Sequence, residues 1–275
     1  MNFWQNLLYG IVSGITEFTP VSSGGHQVLM RKLFGVSQAN PLLDLLVHFG
    51  LLMAVFASCR SVLLGYVGHL RAGRIHRSRR SAESARRTYD LRFLIPASVA
   101  MLLLLVFRDF GNRLANDTLI LCLFFLANGL VLYVVDHLPH GNKDSSRMSA
   151  LDSILTGVLS GMSVLPGISR LGMSLSVAVG RGADKVHAYG WALSLCVPAL
   201  ILFIFLDLLG VITVAGISYS FVSLVGYVFA AVGAFAGGYL IIMLMRFMLV
   251  NTGFSGYALY CWGVSILTFI LYLIA

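Results

Sequence analysis

A chain of 275 residues with 58% apolar and only 11% charged side chains is far from a soluble domain, where about a quarter of residues carry charge. Its net charge of +8 does not mark a nucleic-acid partner, because eight of its nineteen lysines and arginines fall in one stretch, RAGRIHRSRRSAESARRTYDLR (71–92), between apolar segments. That pattern sets a loop on the cytoplasmic side of a membrane, with anionic lipid headgroups as its contact. Cys59, Cys122, Cys196 and Cys261 stand singly in apolar segments, which excludes a disulfide framework or a thiolate metal site.

Taken in chain order, the first ten residues lack the basic n-region and cleavage site of a signal peptide, so the N-terminus is expected to belong to the fold. The first apolar segment, 3–34, is interrupted by ITEFTPVSSGGHQ (15–27), which packs a carboxylate, a proline, two serines, two glycines and a histidine into an oily run. Full spans are expected at 41–59, 93–109 and 117–136, since ~20 apolar residues cross a hydrocarbon core of ~30 Å. A second interrupted segment follows at 150–182, then spans at 187–210, 219–246 and 256–275. Breaks of this kind read as re-entrant hairpins, because irregular backbone at membrane depth survives only where protein or trapped water satisfies it.

The two interrupted segments echo each other. GIVSGITEFTPVSSGG (10–25) and GVLSGMSVLPGISRLG (157–172) share a Gly-x-x-Ser-Gly start, a proline about a turn and a half later and a Ser/Gly-rich continuation. Each is followed by three spans, an odd number, so the second half enters the membrane inverted relative to the first. The expected fold is all-α: one multi-pass membrane domain over 1–275, with six transmembrane helices and two re-entrant helix hairpins. The inverted repeats cover 1–136, which includes the basic loop 71–92, and 150–275. With that loop inside, 137–147 and Arg246 also fall inside, while 110–116, both termini and the first hairpin fall outside.

The residues at the breaks carry the chemistry. Glu17, Ser22, Ser23 and His26 lie at the first, and Ser169, Arg170 and Ser174 at the second. An ionisable group in a span costs about 2.5–3.5 kcal/mol on insertion scales and is normally paired and functional. Arg170 can present a two-pronged donor to phosphate oxygens. The turns carrying Gly24, Gly25 and Gly167 can aim backbone N–H groups at an anion, and a serine beside a carboxylate or histidine is an activatable nucleophile. Plainer readings exist for each: Glu17 and Arg170 as a bracing ion pair, Ser22 or Ser23 as a helix cap, and His48 as a packing histidine partnered by Asp44 one turn earlier. Asp207 reads as interfacial.

At these residues the chain resembles the undecaprenyl-diphosphate phosphatase (bacitracin-resistance) family of bacterial inner membranes. SGITEFTPVSSGGH (13–26) is similar to its first motif and PGISRLGMS (166–174) to its second, with weaker similarity in LLDLLVHFGLLMAV (42–55) and WALSLCVPALI (191–201). The resemblance implies an inverted-repeat fold with a pocket facing the outer side of the plasma membrane. It implies hydrolysis of a polyprenyl diphosphate to the monophosphate and phosphate, which recycles the lipid carrier of cell-wall synthesis. Ser23 would be the nucleophile or a phosphate-binding hydroxyl, Glu17 and His26 the acid–base pair, and Arg170 with Ser169 the diphosphate clamp.

A divalent cation, Mg2+ or Ca2+, would bridge Glu17 and the phosphates. It would bind weakly, because Ser13 stands where the family has an acidic or amide residue. Leu171 replaces a second-motif serine, Ser174 a threonine and Cys261 an arginine. The expected partners are the lipid substrate and the membrane, without nucleic acid, and with a homodimer left open. Two rivals remain at this stage: a polyprenyl-phosphate translocase and an inactive lipid-phosphate binder.

The charge pattern makes a topological prediction. A cysteine placed at Arg79 should react with an impermeant thiol reagent only from the cytoplasmic side, and one at Asn2 only from the opposite side. Labelling of both from one side would refute the three-spans-per-half scheme.

Overall fold

The computed structural model describes residues 1–36, 39–59, 91–139, 141, 149–213, 220–251 and 253–274, and the regular elements among them are helical. The arginine-rich loop 71–92 lies outside the described residues except for its last two, which open a helix. Among the described residues, five helices are long and apolar enough to cross a membrane, or six if one bent pair counts as a single span. Large apolar side chains such as Trp4, Leu103, Phe221 and Leu273 cover their outer faces, as lipid contact requires. This is a multi-pass membrane protein.

The first broken segment forms α1 (Phe3–Glu17) and α2 (Ser23–Leu33). Asn2 and Gln5 start α1 through a reciprocal capping box, and Pro20 ends it by disfavouring helix at the preceding residue. α3 (Pro41–Ser58) opens on Asn40, whose side chain accepts from the N–H groups of Leu42 and Leu43, with Pro41 at the first helical position. The span expected at 93–109 is instead bent by 52° between α4 (Leu91–Leu105) and α5 (Arg108–Ala115). Its polar RDFGNR sequence turns away from the apolar run, which brings Arg108 inward to Asp207. α6 (Thr118–Asp136) follows, capped by Asp117.

The second broken segment forms α7 (Ala150–Gly161), a 3-10 turn (Met162–Val164) and α8 (Arg170–Gly180). The long α9 (Lys185–Thr213), α10 (Phe221–Asn251) and α11 (Ser255–Ile274) complete the chain.

Packing exchanges helices between the halves. α1 lies against α10 and α7 against α4, while α3 meets α9 and α6 meets α11. The first two contacts are backbone-close and built from corresponding glycines of the echo. A Cβ on Gly10 would lie 1.9 Å from the Ala230 carbonyl oxygen, and one on Gly157 2.2 Å from that of Ala97. One turn on, Gly14 sits on Ala234 and Gly161 on Leu104 and Met101. Close backbone approach through small residues is the usual way membrane helices gain contact without a hydrophobic drive between them.

These contacts set a test. Gly10→Val should lower stability in detergent by ~1–3 kcal/mol, the usual range for overpacking. Gly263→Ala, where an added Cβ meets nothing within 4 Å, should be neutral. Thermal unfolding of the purified variants reads both.

Candidate active site

The two breaks meet face to face. Gly25, at the start of α2, lies so close to Gly167 that a Cβ there would stand 2.7 Å from the Gly167 nitrogen. Gly167 has φ +111°, a conformation that favours glycine. The carbonyls left open where α1 stops are met from the other half of the chain: Tyr189 donates to Phe18 (3.3 Å), Ser169 Oγ to Thr19 (3.4 Å) and Asn128 Nδ2 to Pro20 (2.9 Å). In return, Ser22 Oγ accepts from the Gly167 N–H at 3.0 Å and from the Gly25 N–H at 3.2 Å. Ser22 has φ 71°, the only positive value at a non-glycine among the described residues, and such strain persists only where the surroundings over-determine it.

Beside this junction lies a cavity of about 290 Å3 that Glu17, Ser23, Gly24, Ser169 and Arg170 help to line. Arg170 Nη2 donates to Glu17 Oε1, while Arg170 Nε and Nη1 are buried without a hydrogen-bond partner among the described residues. Burying a polar group unpaired costs about 1–3 kcal/mol and more for a charged one. Arg170 thus brings a positive charge with two unused donors, on different sides of the guanidinium, to the residues that line the cavity. Ser23 makes no side-chain hydrogen bond to a described residue, and Ser23 and Gly24 open α2, an N-terminal position that favours phosphate.

Other expected residues take different places. His26 does not line the cavity: Nδ1 lies 2.7 Å from the Ser22 carbonyl oxygen and Nε2 2.8 Å from the Tyr260 hydroxyl, so both ring nitrogens are engaged. Ser174 is fully buried one turn inside α8, outside the lining. Gly25 and Gly167 serve the close approach of the backbones and do not reach the cavity. Ser22 and Ser169 line it, but their hydroxyls cap α2 and α8.

Leu171 packs in the apolar core with Tyr9, Phe18 and Leu175, so its exchange for the motif serine removes no hydroxyl from the cavity. The donor set does not fit a cation held by the protein alone. Glu17 is paired with Arg170, Ser13 is fully buried and accepts from Gln27, and no grouping of three metal-ligating side chains occurs among the described residues.

The plain readings of His48, Asp44 and Asp207 are corrected. His48 Nδ1 lies 2.6 Å from Asp207 Oδ2, and Asp207 is 1% exposed in the bundle, so it is not interfacial. Its second oxygen accepts from Arg108 at 2.5 Å. Asp44 pairs instead with Tyr9 (2.7 Å), beside Arg31. Asn128 was missed altogether. It is fully buried in α6, donates to Pro20 and accepts from the Ser169 N–H at 2.8 Å, tying both breaks together. Its signal was a lone amide in the middle of an otherwise apolar span.

Fold and site together define a multi-pass membrane protein with a polar, anion-suited cavity where two broken helices meet. The family model described as bacitracin resistance protein BacA matches residues 6–267, and the chain belongs to that family. It is similar to a protein named undecaprenyl-diphosphatase from Carboxydothermus hydrogenoformans, 30% identical with 97% of each chain covered. It is also similar to undecaprenyl-diphosphatase 3 of Bacillus cereus, 27% identical with 98% of each covered. A relative named undecaprenyl-diphosphatase from Halothermothrix orenii is 26% identical over 98% of each.

Asn128 gives the test of this geometry. Asn128→Leu leaves the Pro20 carbonyl and the Ser169 N–H unpaired, at ~1–3 kcal/mol each. It should lower thermal stability and uncouple the breaks, whereas Asn128→Gln should retain part of both. Unchanged stability in Asn128→Leu would mean that the junction does not depend on this amide.

Proposed function

We propose that this protein hydrolyses undecaprenyl diphosphate, or a polyprenyl diphosphate of the same class, to the monophosphate and inorganic phosphate. The carrying observation is Arg170: two buried, unpartnered guanidinium donors at a cavity that Ser23 also lines. The names of the relatives at 26–30% identity support the same substrate. The cavity volume of about 290 Å3 suits a diphosphate headgroup, leaving the prenyl chain among lipid.

In this reading the terminal phosphoryl group binds the Arg170 guanidinium and the N-terminus of α2. The Ser23 hydroxyl, or a water beside it, attacks the terminal phosphorus in line with the bridging oxygen. Arg170 stabilises the charge that develops on the equatorial oxygens, where preorganised donors have their largest effect. Glu17 holds the guanidinium in place through Nη2. A divalent cation, Mg2+ or Ca2+, would supply Lewis-acid stabilisation, and Glu17 is the residue that would hold it, but it is already paired with Arg170. With Glu17 paired and Ser13 one turn earlier, the dependence on metal is weak.

The two halves form an inverted repeat in the plasma membrane of a bacterium, with the cavity towards the outer face. The exchange of corresponding helices, α1 on α10 and α7 on α4, supports the repeat, and the arginine-rich loop supports the orientation.

Phosphate release by the purified protein from polyprenyl diphosphate, with and without chelator, tests this reading. Arg170→Ala should reduce turnover by about 10^2–10^3-fold, the effect of losing a preorganised charge-stabilising donor. Arg170→Lys should recover little, because a point charge lacks the fork. Near-full turnover in Arg170→Lys would reduce the residue to an ion-pair partner of Glu17. Binding of the lipid without phosphate release from the wild type would replace hydrolysis with a carrier or binding role.

A further inference from the structure

The cavity holds a second cluster that the chemistry above leaves unused. His48, on α3, lines it together with Arg108 and Asp207. Arg108 Nη2 donates to Asp207 Oδ1 at 2.5 Å, and Asp207 Oδ2 lies 2.6 Å from His48 Nδ1. A carboxylate only accepts, so Nδ1 carries the hydrogen and the lone pair of the neutral ring sits on Nε2. His48 Nε2 has no hydrogen-bond partner among the described residues. His48 and Arg170 line the same cavity and share a neighbour: Phe203 stands 5.2 Å from the His48 ring and 4.8 Å from the Arg170 guanidinium carbon.

The alternatives for moving a proton are weaker. His26 has both nitrogens engaged and lies outside the cavity lining. Glu17 lines the cavity but is bonded to Arg170, so protonating it would break that pair. An imidazole oriented by a buried carboxylate, with its far nitrogen free in a reaction cavity, is the arrangement of a general base.

We propose that His48 is the proton carrier of the phosphoryl transfer, with Asp207 and Arg108 as the residues that position it. The inference rests on the phosphatase reading. The O–H bond of the attacking hydroxyl breaks and its proton passes to Nε2. The oxygen's electron pair forms the new bond to the terminal phosphorus. The bond from that phosphorus to the bridging oxygen breaks, its pair leaves with the prenyl monophosphate as an anion, and the imidazolium releases its proton to water. Where Ser23 is the attacking group, the neutral ring then takes a proton from the water that hydrolyses the phosphoserine to serine and phosphate.

The charged groups that face His48 through the cavity are Asp207 of α9, Arg108 and Asp109 of α5, and Glu17 of α1. Arg31 of α2, Asp44 of its own helix and Arg170 of α8 complete the set. From α10, which packs along α3, Tyr227 on this side is engaged by Asn40.

The test is the pH dependence of kcat and KM for polyprenyl diphosphate hydrolysis by the full chain. His48→Gln should lower kcat by about 10^2-fold or more, leave KM within a few-fold and abolish the acid limb of the wild-type profile. Asp207→Asn should do the same without touching the ring. Its amide can donate to Nδ1, which moves the ring hydrogen to Nε2 and removes the lone pair from the cavity. Asp207→Glu should recover part of the rate.

A merely structural cluster would lower melting temperature or raise KM while keeping the acid limb. That limb surviving in folded His48→Gln, or in folded Asp207→Asn should His48→Gln not fold, overturns the proposal, as does a kcat within twofold of wild type. A wild type that releases no phosphate overturns the phosphatase reading itself, a result separable from failure of the variants alone.

Discussion

A helix that stops inside an apolar bundle leaves carbonyl and N–H groups that neither lipid nor side-chain methyls can satisfy. Most of this structure can be understood as the answer to that constraint. The open end of α1 is closed by Tyr189, Ser169 and Asn128, all from beyond the first hairpin, and the second break is closed in turn by Ser22 and Asn128. Each hairpin completes the other. The contact must be close, which is why Gly25 and Gly167 meet backbone to backbone and why Ser22 is held at positive φ.

Once the breaks are joined, their polar side chains share one cavity. Its charges are arranged as compensated clusters: Glu17 with Arg170, Asp207 with Arg108 and His48, and Asp44 with Tyr9 and Arg31. Buried ion pairs contribute little net stability, because desolvation offsets their attraction. Their concentration around one void therefore points to use. Within the first of these, Arg170 has one nitrogen paired with Glu17 and two without a hydrogen-bond partner among the described residues.

The apolar framework positions this polar centre. Backbone contacts of α1 with α10 and of α7 with α4 set the two hairpins into opposite halves of the bundle. The bend between α4 and α5 delivers Arg108 to Asp207. Phe203 then separates the guanidiniums of Arg108 and Arg170 at 5.5 and 4.8 Å from its ring. Cation–π contact of this kind holds an arginine without consuming its donors.

The sequence by itself determined the environment, the helices and the chemical class of the site. Runs of apolar residues set the spans, because length and hydropathy are local properties. The breaks were legible because Pro20, Pro166 and their flanking serines and glycines punctuate helices wherever they occur. Glu17 and Arg170 stood out because a lone charge in such a run needs a partner, and the motif resemblance named the substrate.

Only the tertiary structure decided which groups face the cavity. Ser22 and Ser23 are adjacent in sequence, yet one hydroxyl caps two backbone N–H groups while the other has no described partner. His26 carried the motif, but the orientation of α2 turns it to Tyr260, while His48 meets an aspartate 159 positions away. Leu171 looked like a lost polar ligand and is core, and Asn128, to which the sequence reading gave no role, ties the breaks together. Periodicity gives the face of one helix. The partner that face meets depends on how separate helices cross, and no local pattern encodes that crossing.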